Sequence, residues 1–197
     1  MKYFSDVDSK VDFKSICFEE CLDSNYIKPA RMTYIENGKK KVWDIINSYD
    51  SVSILLYNQE IDSFLIVRQF RPAVYANNQD GYTYELCAGL IDKEGKSLEQ
   101  IASEEIFEEC GYDVKASDLK KIGSFFASTG ISGSKQTIFF ATISQENRIN
   151  GGGGIDDECI DVLFLPLKEA QNFIDDDSIA KTPALAYAIK WYMDKFK

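Results

Sequence analysis

Glu104, Glu105, Glu108 and Glu109 crowd into one stretch of the chain, GLIDKEGKSLEQIASEEIFEECGY at residues 89–112. Ser97 followed by Gln100 forms a capping box, in which the hydroxyl meets one orphan backbone donor and the amide reaches back for another. The spacing therefore predicts a helix that starts at Leu98 and stops near Cys110, where Gly111 supplies the left-handed residue that commonly ends helices. At about 100° per residue from Leu98, Ala102, Ile106 and Cys110 fall at about 40°, 80° and 120°, and Ile101 at about 300°. Glu105 at about 340° and Glu109 at about 20° lie inside this apolar stripe, while Glu108 (about 280°) and Glu104 (about 240°) border it.

Such an arrangement is costly. Two carboxylates about 5 Å apart repel by about 3 kcal/mol at an effective dielectric of about 20, and a helix C-terminus disfavours anions through the macrodipole. One resolution is a divalent cation, since hard ions such as Mg²⁺ take oxygen ligands and keep open positions for water and phosphate. The other is an ordinary solvated acidic face. Helical phase alone leaves both open.

The remaining composition narrows the chemistry. The chain has 197 residues, a formal net charge of −10 and no histidine. Without imidazole, Ser–His and Cys–His triads are excluded, and proton transfer falls to carboxylate, Lys, Tyr or water. The negative charge repels nucleic acid and anionic lipid. An anionic substrate requires local neutralisation by metal ions and a few arginines. Five cysteines, at 17, 21, 87, 110 and 159, form neither a disulfide framework nor a paired zinc spacing; they read as reduced and mostly packed. No apolar run reaches the length that spans a bilayer, and the first residues lack the apolar region of a secretory signal. The expectation is a cytoplasmic protein with no nucleic-acid or membrane partner.

The elements that must hold the acidic helix are legible in outline. Residues 1–29 are mixed and charged, with Phe13, Ile16 and Phe18 as their packing residues. Strands at 31–35 and 41–46 flank Asn37-Gly38, a pair suited to a type I′ hairpin turn. Apolar, β-branched runs at 51–57 and 64–70 predict two buried strands. A polar turn at 77–81 precedes a short strand at 84–88, which feeds directly into Gly89 and the acidic helix. Strands at 119–126 and 136–143 bracket a Ser/Gly-rich loop. Gly151, Gly152, Gly153 and Gly154 then lead through an acidic loop into another strand. A helix at 167–174 and a last one with Thr182 as N-cap and Pro183 at its first position close the chain. Strands with helices between and after them imply a mixed sheet covered on both faces.

The tail EIFEECGY, from Glu105 to Tyr112, resembles the box of the Nudix hydrolases, which ends Arg-Glu-apolar-any-Glu-Glu-any-Gly-apolar. The segments YIKPARMTY, VRQFRPAVYA, TYELCAGLID and SGSKQTIFF, with the acidic loop after the glycines, resemble the UDP-sugar and ADP-ribose pyrophosphatase branch over nearly everything after residue 25. The resemblance implies an α+β Nudix fold: an α/β/α sandwich with a mixed sheet at 49–197 and an N-terminal antiparallel β appendage at 1–48 that serves homodimerisation.

It also implies Mg²⁺-dependent (or Mn²⁺-dependent) cleavage of the diphosphate in a nucleoside diphosphate sugar, with UDP-glucose giving UMP and glucose 1-phosphate. ADP-ribose hydrolysis is the alternative, and a non-catalytic nucleotide-sugar-binding module a further one. By the same resemblance Glu105 and Glu109 are metal ligands, Glu108 is a ligand or base, and the backbone carbonyl of Ala88 completes a metal shell. Glu85 belongs with the substrate-binding residues as a partner that supports them, or else is an edge charge compatible with packing. The catalytic base comes from Asp156, Asp157 or Glu158, with Glu158 first. Arg71 contacts substrate phosphate, or else forms an interstrand ion pair. Trp43 and Asp44 occupy the place of a nucleoside-handling Arg-Glu pair, so Trp43 stacks on the base and Asp44 holds ribose hydroxyls, unless Trp43 is simply packed.

The sequence departs from the box at Lys96, where a Glu is usual, and at Glu104, where an Arg is usual. One extra residue also separates Gly89 from the helix. If Lys96 and Glu104 pair, the helix keeps its orientation; if they do not, Glu104 adds another negative charge.

Overall fold

Asn37 and Gly38 both adopt positive φ, 50° and 73°, and this turn joins β1 (Lys28–Glu36) to β2 (Lys39–Asn47) in an antiparallel ribbon that runs unbroken from Lys28↔Asn47 to Glu36↔Lys39. The computed structural model describes residues 1–5, 7–24, 27–78, 80–155 and 157–196. The ribbon is exposed along most of its length, including Met32, Ile35, Val42 and Trp43. It leans on a later loop through two hydrogen bonds, Trp43 Nε1 to the Gly130 carbonyl at 2.8 Å and Ile46 N–H to the Ile131 carbonyl at 3.0 Å.

Among the described residues the main sheet has seven strands. Its centre, β3 (Ser51–Asn58), pairs in parallel along one edge with β8 (Lys135–Ile143), onto which β7 (Lys120–Phe126) folds antiparallel. On the other edge β3 starts beside β6 (Cys87–Leu90) and ends beside β4 (Ser63–Phe70). β4 in turn pairs with β9 (Asp161–Pro166) and, at its far end, with β5 (Tyr82–Glu85). The segment 82–90 therefore begins on β4, crosses at Leu86 and finishes on β3, filling the opening where those two strands diverge. The near-continuous apolar runs in β3 and β4 suit strands covered on both faces.

One face receives α2 (Leu98–Glu105), whose Ile101 and Ala102, followed by Ile106 and Cys110, pack with Val52, Ile54 and Leu56. The opposite face receives α3 (Ala170–Asp175) and α4 (Pro183–Phe196), where Leu185, Ala188 and Ile189 meet Leu55, Phe64 and Ile138. This is the expected α/β/α sandwich. The N-terminal residues add a strap beside β9: Phe4 N–H donates to the Phe164 carbonyl and Phe164 N–H to the Lys2 carbonyl. Among the described residues no helix is long and apolar enough to cross a membrane.

Several expectations need correction. The single α-helix over 98–110 is α only through Glu105; residues Ile106–Cys110 form one wider π turn, with Gly111 N–H reaching Ile106 and Phe107 before the chain turns left-handed at φ 75°. A short helix, α1 (Pro72–Asn78), precedes and overlaps the turn expected at 77–81; Gln79 lies outside the described residues. The helix expected at 167–174 opens as a 3₁₀ turn, Leu167–Glu169, before α3. Phe18 is exposed rather than packed, and the N-terminal anchor is Phe4, edge-on to Phe173 at 5.3 Å between centroids. Cys17, Cys21 and Cys159 are exposed, and only Cys87 and Cys110 are buried; all five are free.

Candidate active site

Gly89 faces α2, and a Cβ placed there would stand 2.0 Å from Glu105 Cδ, so the absence of a side chain on β6 is what admits the Glu105 carboxylate. The neighbouring residue ties down the other inner glutamate. Ala88 N–H donates to Glu109 Oε2 at 3.0 Å. N–H and C=O of a strand residue leave along the same edge, so the Ala88 carbonyl is turned away from β3 towards the same side.

Both carboxyls resist ionisation. Burial pushes Glu105 up to about 7, helped by repulsion from Glu108 and opposed by Lys93. Burial likewise pushes Glu109 up to about 7, against the lowering effect of the Ala88 N–H. Glu109 is 5% exposed, and no salt bridge reaches either carboxylate among the described residues. Burial is thus the main cause of both shifts, with Lys93 the cation that acts on Glu105. Among the described residues no three acidic, Cys or His side chains converge to hold a metal by themselves; the oxygens that could serve a cation here are two carboxylates one helical turn apart and a strand carbonyl. Oxygen donors of this kind suit a hard divalent ion that keeps several waters.

The outer glutamates have partners. Lys96 Nζ donates to Glu104 Oε1, and Lys93 Nζ donates to Glu104 Oε2 at 3.1 Å. Hydrogen bonding from Lys96 and Lys93 holds the Glu104 carboxyl below its usual value. Lys93 also approaches Glu108 at 3.8 Å. The exchanged residues Lys96 and Glu104 thus pair. Lys93 is a member of the site that sequence reasoning missed, although its place in the turn before the acidic helix was the available signal.

Arg71, directly after β4, donates from Nε and Nη2 to the two oxygens of Glu85 at 2.8 and 2.7 Å. Thr83 Oγ1 adds a donor to Glu85 Oε1. The interstrand ion pair is therefore present, and it fixes the guanidinium in a known plane while leaving its side chain 46% exposed. Glu109 and Glu158 both act electrostatically on Arg71, and Glu158 also acts on Glu105 and Glu109. Arg71, Glu85, Glu105, Glu109 and Glu158 thus form one charged cluster beside Ala88.

The loop bearing Glu158 is fastened to the end of the acidic helix. Gly153 N–H donates to the Glu109 carbonyl and Gly154 N–H to the Glu108 carbonyl. Glu158 Oε2 accepts the Ile155 N–H at 3.0 Å. Asp157 is exposed, and Asp156 lies outside the described residues. Trp43 and Asp44 stand apart from the cluster on the ribbon, the former against Gly130 and the latter in a two-pronged ion pair with Arg31.

Comparison with known proteins bears on this arrangement. The NUDIX domain family model matches residues 48–187. Uridine diphosphate glucose pyrophosphatase NUDT14 of Bos taurus is 38% identical, covering 91% of this chain and 93% of its own. GDP-mannose pyrophosphatase of Klebsiella pneumoniae is 34% identical, covering 82% of each. A solved structure described as an ADP compounds hydrolase superposes with a TM-score of 0.68 over 90% of this chain and 92% of its own, at 18% identity, which speaks to the fold.

Proposed function

The chain belongs to the Nudix family, and from that premise we propose that it hydrolyses the diphosphate bridge of a nucleoside diphosphate sugar, with UDP-glucose giving UMP and glucose 1-phosphate. The observation that carries the proposal is the placing of half-buried Glu105 and buried Glu109, one helical turn apart, against Gly89 and Ala88 of β6. Glu105, Glu109 and the Ala88 carbonyl would hold Mg²⁺ or Mn²⁺, with Glu108 at the margin. Such an ion supplies Lewis-acid polarisation of the phosphoryl oxygens.

The protein's own groups do the rest. Arg71, kept in plane by Glu85, binds phosphate oxygens through its remaining N–H groups. Glu158 accepts the proton of the attacking water, whose oxygen bonds to one phosphorus as the bridging P–O bond breaks and the other phosphate leaves. The substrate choice rests on the relatives named above, both of which act on sugar nucleotides by their names. The exposed apolar residues of the ribbon, Met32, Ile35 and Val42, support its role in a homodimer.

The test is incubation of the protein with UDP-glucose, GDP-mannose and ADP-ribose, with and without Mg²⁺, with products resolved by phosphorus NMR. Mg²⁺-dependent release of UMP and glucose 1-phosphate is expected. Binding without turnover of any of the three would make the chain a sensor instead, and faster turnover of ADP-ribose would reassign the substrate.

A further inference from the structure

Lys93 lies between β6 and α2, in a segment fixed at its start by Ile91 N–H on the Asp50 carbonyl at 2.8 Å and at its end by the Ser97 cap. From there its ammonium reaches along the acidic helix, to 3.1 Å from Glu104 Oε2 and 3.8 Å from Glu108 Oε1. Its charge also draws the Glu105 carboxyl down, against burial. The two contacts differ in kind. The first is a hydrogen bond; the second is beyond hydrogen-bond reach and rests on charge alone. Lys96 takes the other oxygen of Glu104, so Glu104 tethers Lys93 while leaving its charge to act on the next turn. Among the described residues Lys93 is the only ion-pair partner of Glu108. Arg71, the guanidinium on the Glu109 side, is already engaged by both oxygens of Glu85.

We infer that Lys93 is a resident counter-ion of the acidic site: its ammonium offsets the repulsion between Glu105 and Glu108 in metal-free protein and opposes the divalent ion that takes over that task. Lys93 thereby sets the ion concentration at which the site fills. The inference rests on the hydrolase reading above, in which Glu105 and Glu109 hold the ion with Glu108 at the margin. The ammonium keeps its bond to Glu104 when Glu108 turns to the ion, so the exchange breaks no hydrogen bond. Repulsion between like charges through partly exposed, high-dielectric surroundings weakens ion binding by about threefold to tenfold. The side chain of Lys93 is 35% exposed and that of Glu108 25%, which places the pair in that regime.

The test titrates the full chain with Mn²⁺ in the absence of substrate, reading free Mn²⁺ by electron paramagnetic resonance, and follows thermal unfolding in chelator and in Mn²⁺. Wild type is compared with Lys93→Met, which keeps the stem and drops the charge, with Lys93→Arg and with Lys96→Gln. Lys93→Met is expected to bind Mn²⁺ about threefold to tenfold more tightly. It should melt below wild type in chelator and gain more than wild type from the same Mn²⁺ concentration, as tighter binding requires. Lys93→Arg keeps the charge and Lys96→Gln leaves Lys93 beside Glu108, so both should stay within about twofold of wild-type affinity. Unchanged or weaker Mn²⁺ binding by Lys93→Met overturns the inference and leaves the hydrolase standing. An equal drop in melting temperature with and without Mn²⁺ does the same, because it marks a structural lysine. Equal tightening in Lys96→Gln overturns it too, since net charge rather than position would then be at work. Absent wild-type binding of Mn²⁺ overturns it together with the metal reading. Turnover of UDP-glucose is scored apart: Lys93-dependent ion affinity without turnover retains the counter-ion and removes the hydrolase.

Discussion

Glu109 reaches from the last turn of its helix to accept the backbone N–H of Ala88 at 3.0 Å, so one side chain links the acidic helix to the strand that turns a carbonyl towards it. Glu109→Gln keeps an oxygen for that N–H and removes the charge. Turnover of UDP-glucose in Mg²⁺ should fall by about a hundredfold or more, the several kcal/mol an ion contributes, with the melting temperature of metal-free protein unchanged or higher. A variant that retains wild-type turnover would remove this helix from the chemistry.

The raised carboxyls set the pH dependence of stability. Glu105 and Glu109 ionise at about 7 in the folded protein against 4.5 when free of it. The folded state therefore holds more protons between those values, and the stability this gives is complete below the unfolded value and lost as pH rises through about 7. Thermal unfolding in chelator should show a melting temperature that declines from pH 5 to pH 8. Added Mg²⁺ should restore it at pH 8 and change little at pH 5. A chelated profile flat across that interval would contradict the proposed burial of charge.

Lys96 and Glu104 exchange the signs the family box usually carries. Glu104→Lys would set three ammonium groups together with Lys93 and lower stability by about 1 kcal/mol, near the upper end for partly exposed pairs. The double variant Lys96→Glu with Glu104→Lys should recover part of that, and 0.5 M salt should shrink both differences by screening. Equal denaturant midpoints for wild type and Glu104→Lys would mean the pair does not orient the helix.

Glu158→Gln separates proton transfer from binding. Turnover at saturating substrate should drop by about 10²–10⁴-fold, the usual worth of a general base, with KM and the Mg²⁺ dependence shifted by only a few-fold. If kcat survives, Asp156, Asp157 or Glu108 takes the role.

The glycine run offers an internal comparison. Gly151 has open space where a Cβ would go, whereas at Gly152, with φ 67°, a Cβ would sit 2.3 Å from the Glu109 carbonyl oxygen. Gly151→Ala should be silent in both unfolding and turnover. Gly152→Ala should destabilise by about 1 kcal/mol or more through the left-handed backbone alone and slow turnover by displacing the loop. Matching behaviour of the two variants would show that the loop does not rest on the helix.

Local chemistry made much of this readable from sequence. The Ser97–Gln100 capping box forms as written, with both reciprocal hydrogen bonds, and Asn37-Gly38 adopts the positive φ values its composition favours. Period 3.6 correctly put Glu105 and Glu109 on the packed side. It gave no sign of the π turn at Ile106–Cys110, because a fixed 100° step has no means of registering a locally wider helix. The strand expected at 84–88 is two strands on different neighbours, and alternation along a chain does not say which strand lies beside it. Phe4 and Lys93 went unnoticed for a related reason. Their partners, Phe173 and Glu104, are fixed only once the sheet is assembled.

Gly153 and Gly154 cap the carbonyls of Glu109 and Glu108, and that joint constrains how this gene can drift. An added Cβ at Gly151 meets nothing within 4 Å, but inserting or deleting even one position between Gly152 and Glu158 would move Glu158, the proposed base, relative to Glu105 and Glu109. Natural variation in this loop should therefore appear as substitutions near Gly151 and as length changes upstream of Asn150, with the count from Gly152 to Glu158 preserved among active descendants.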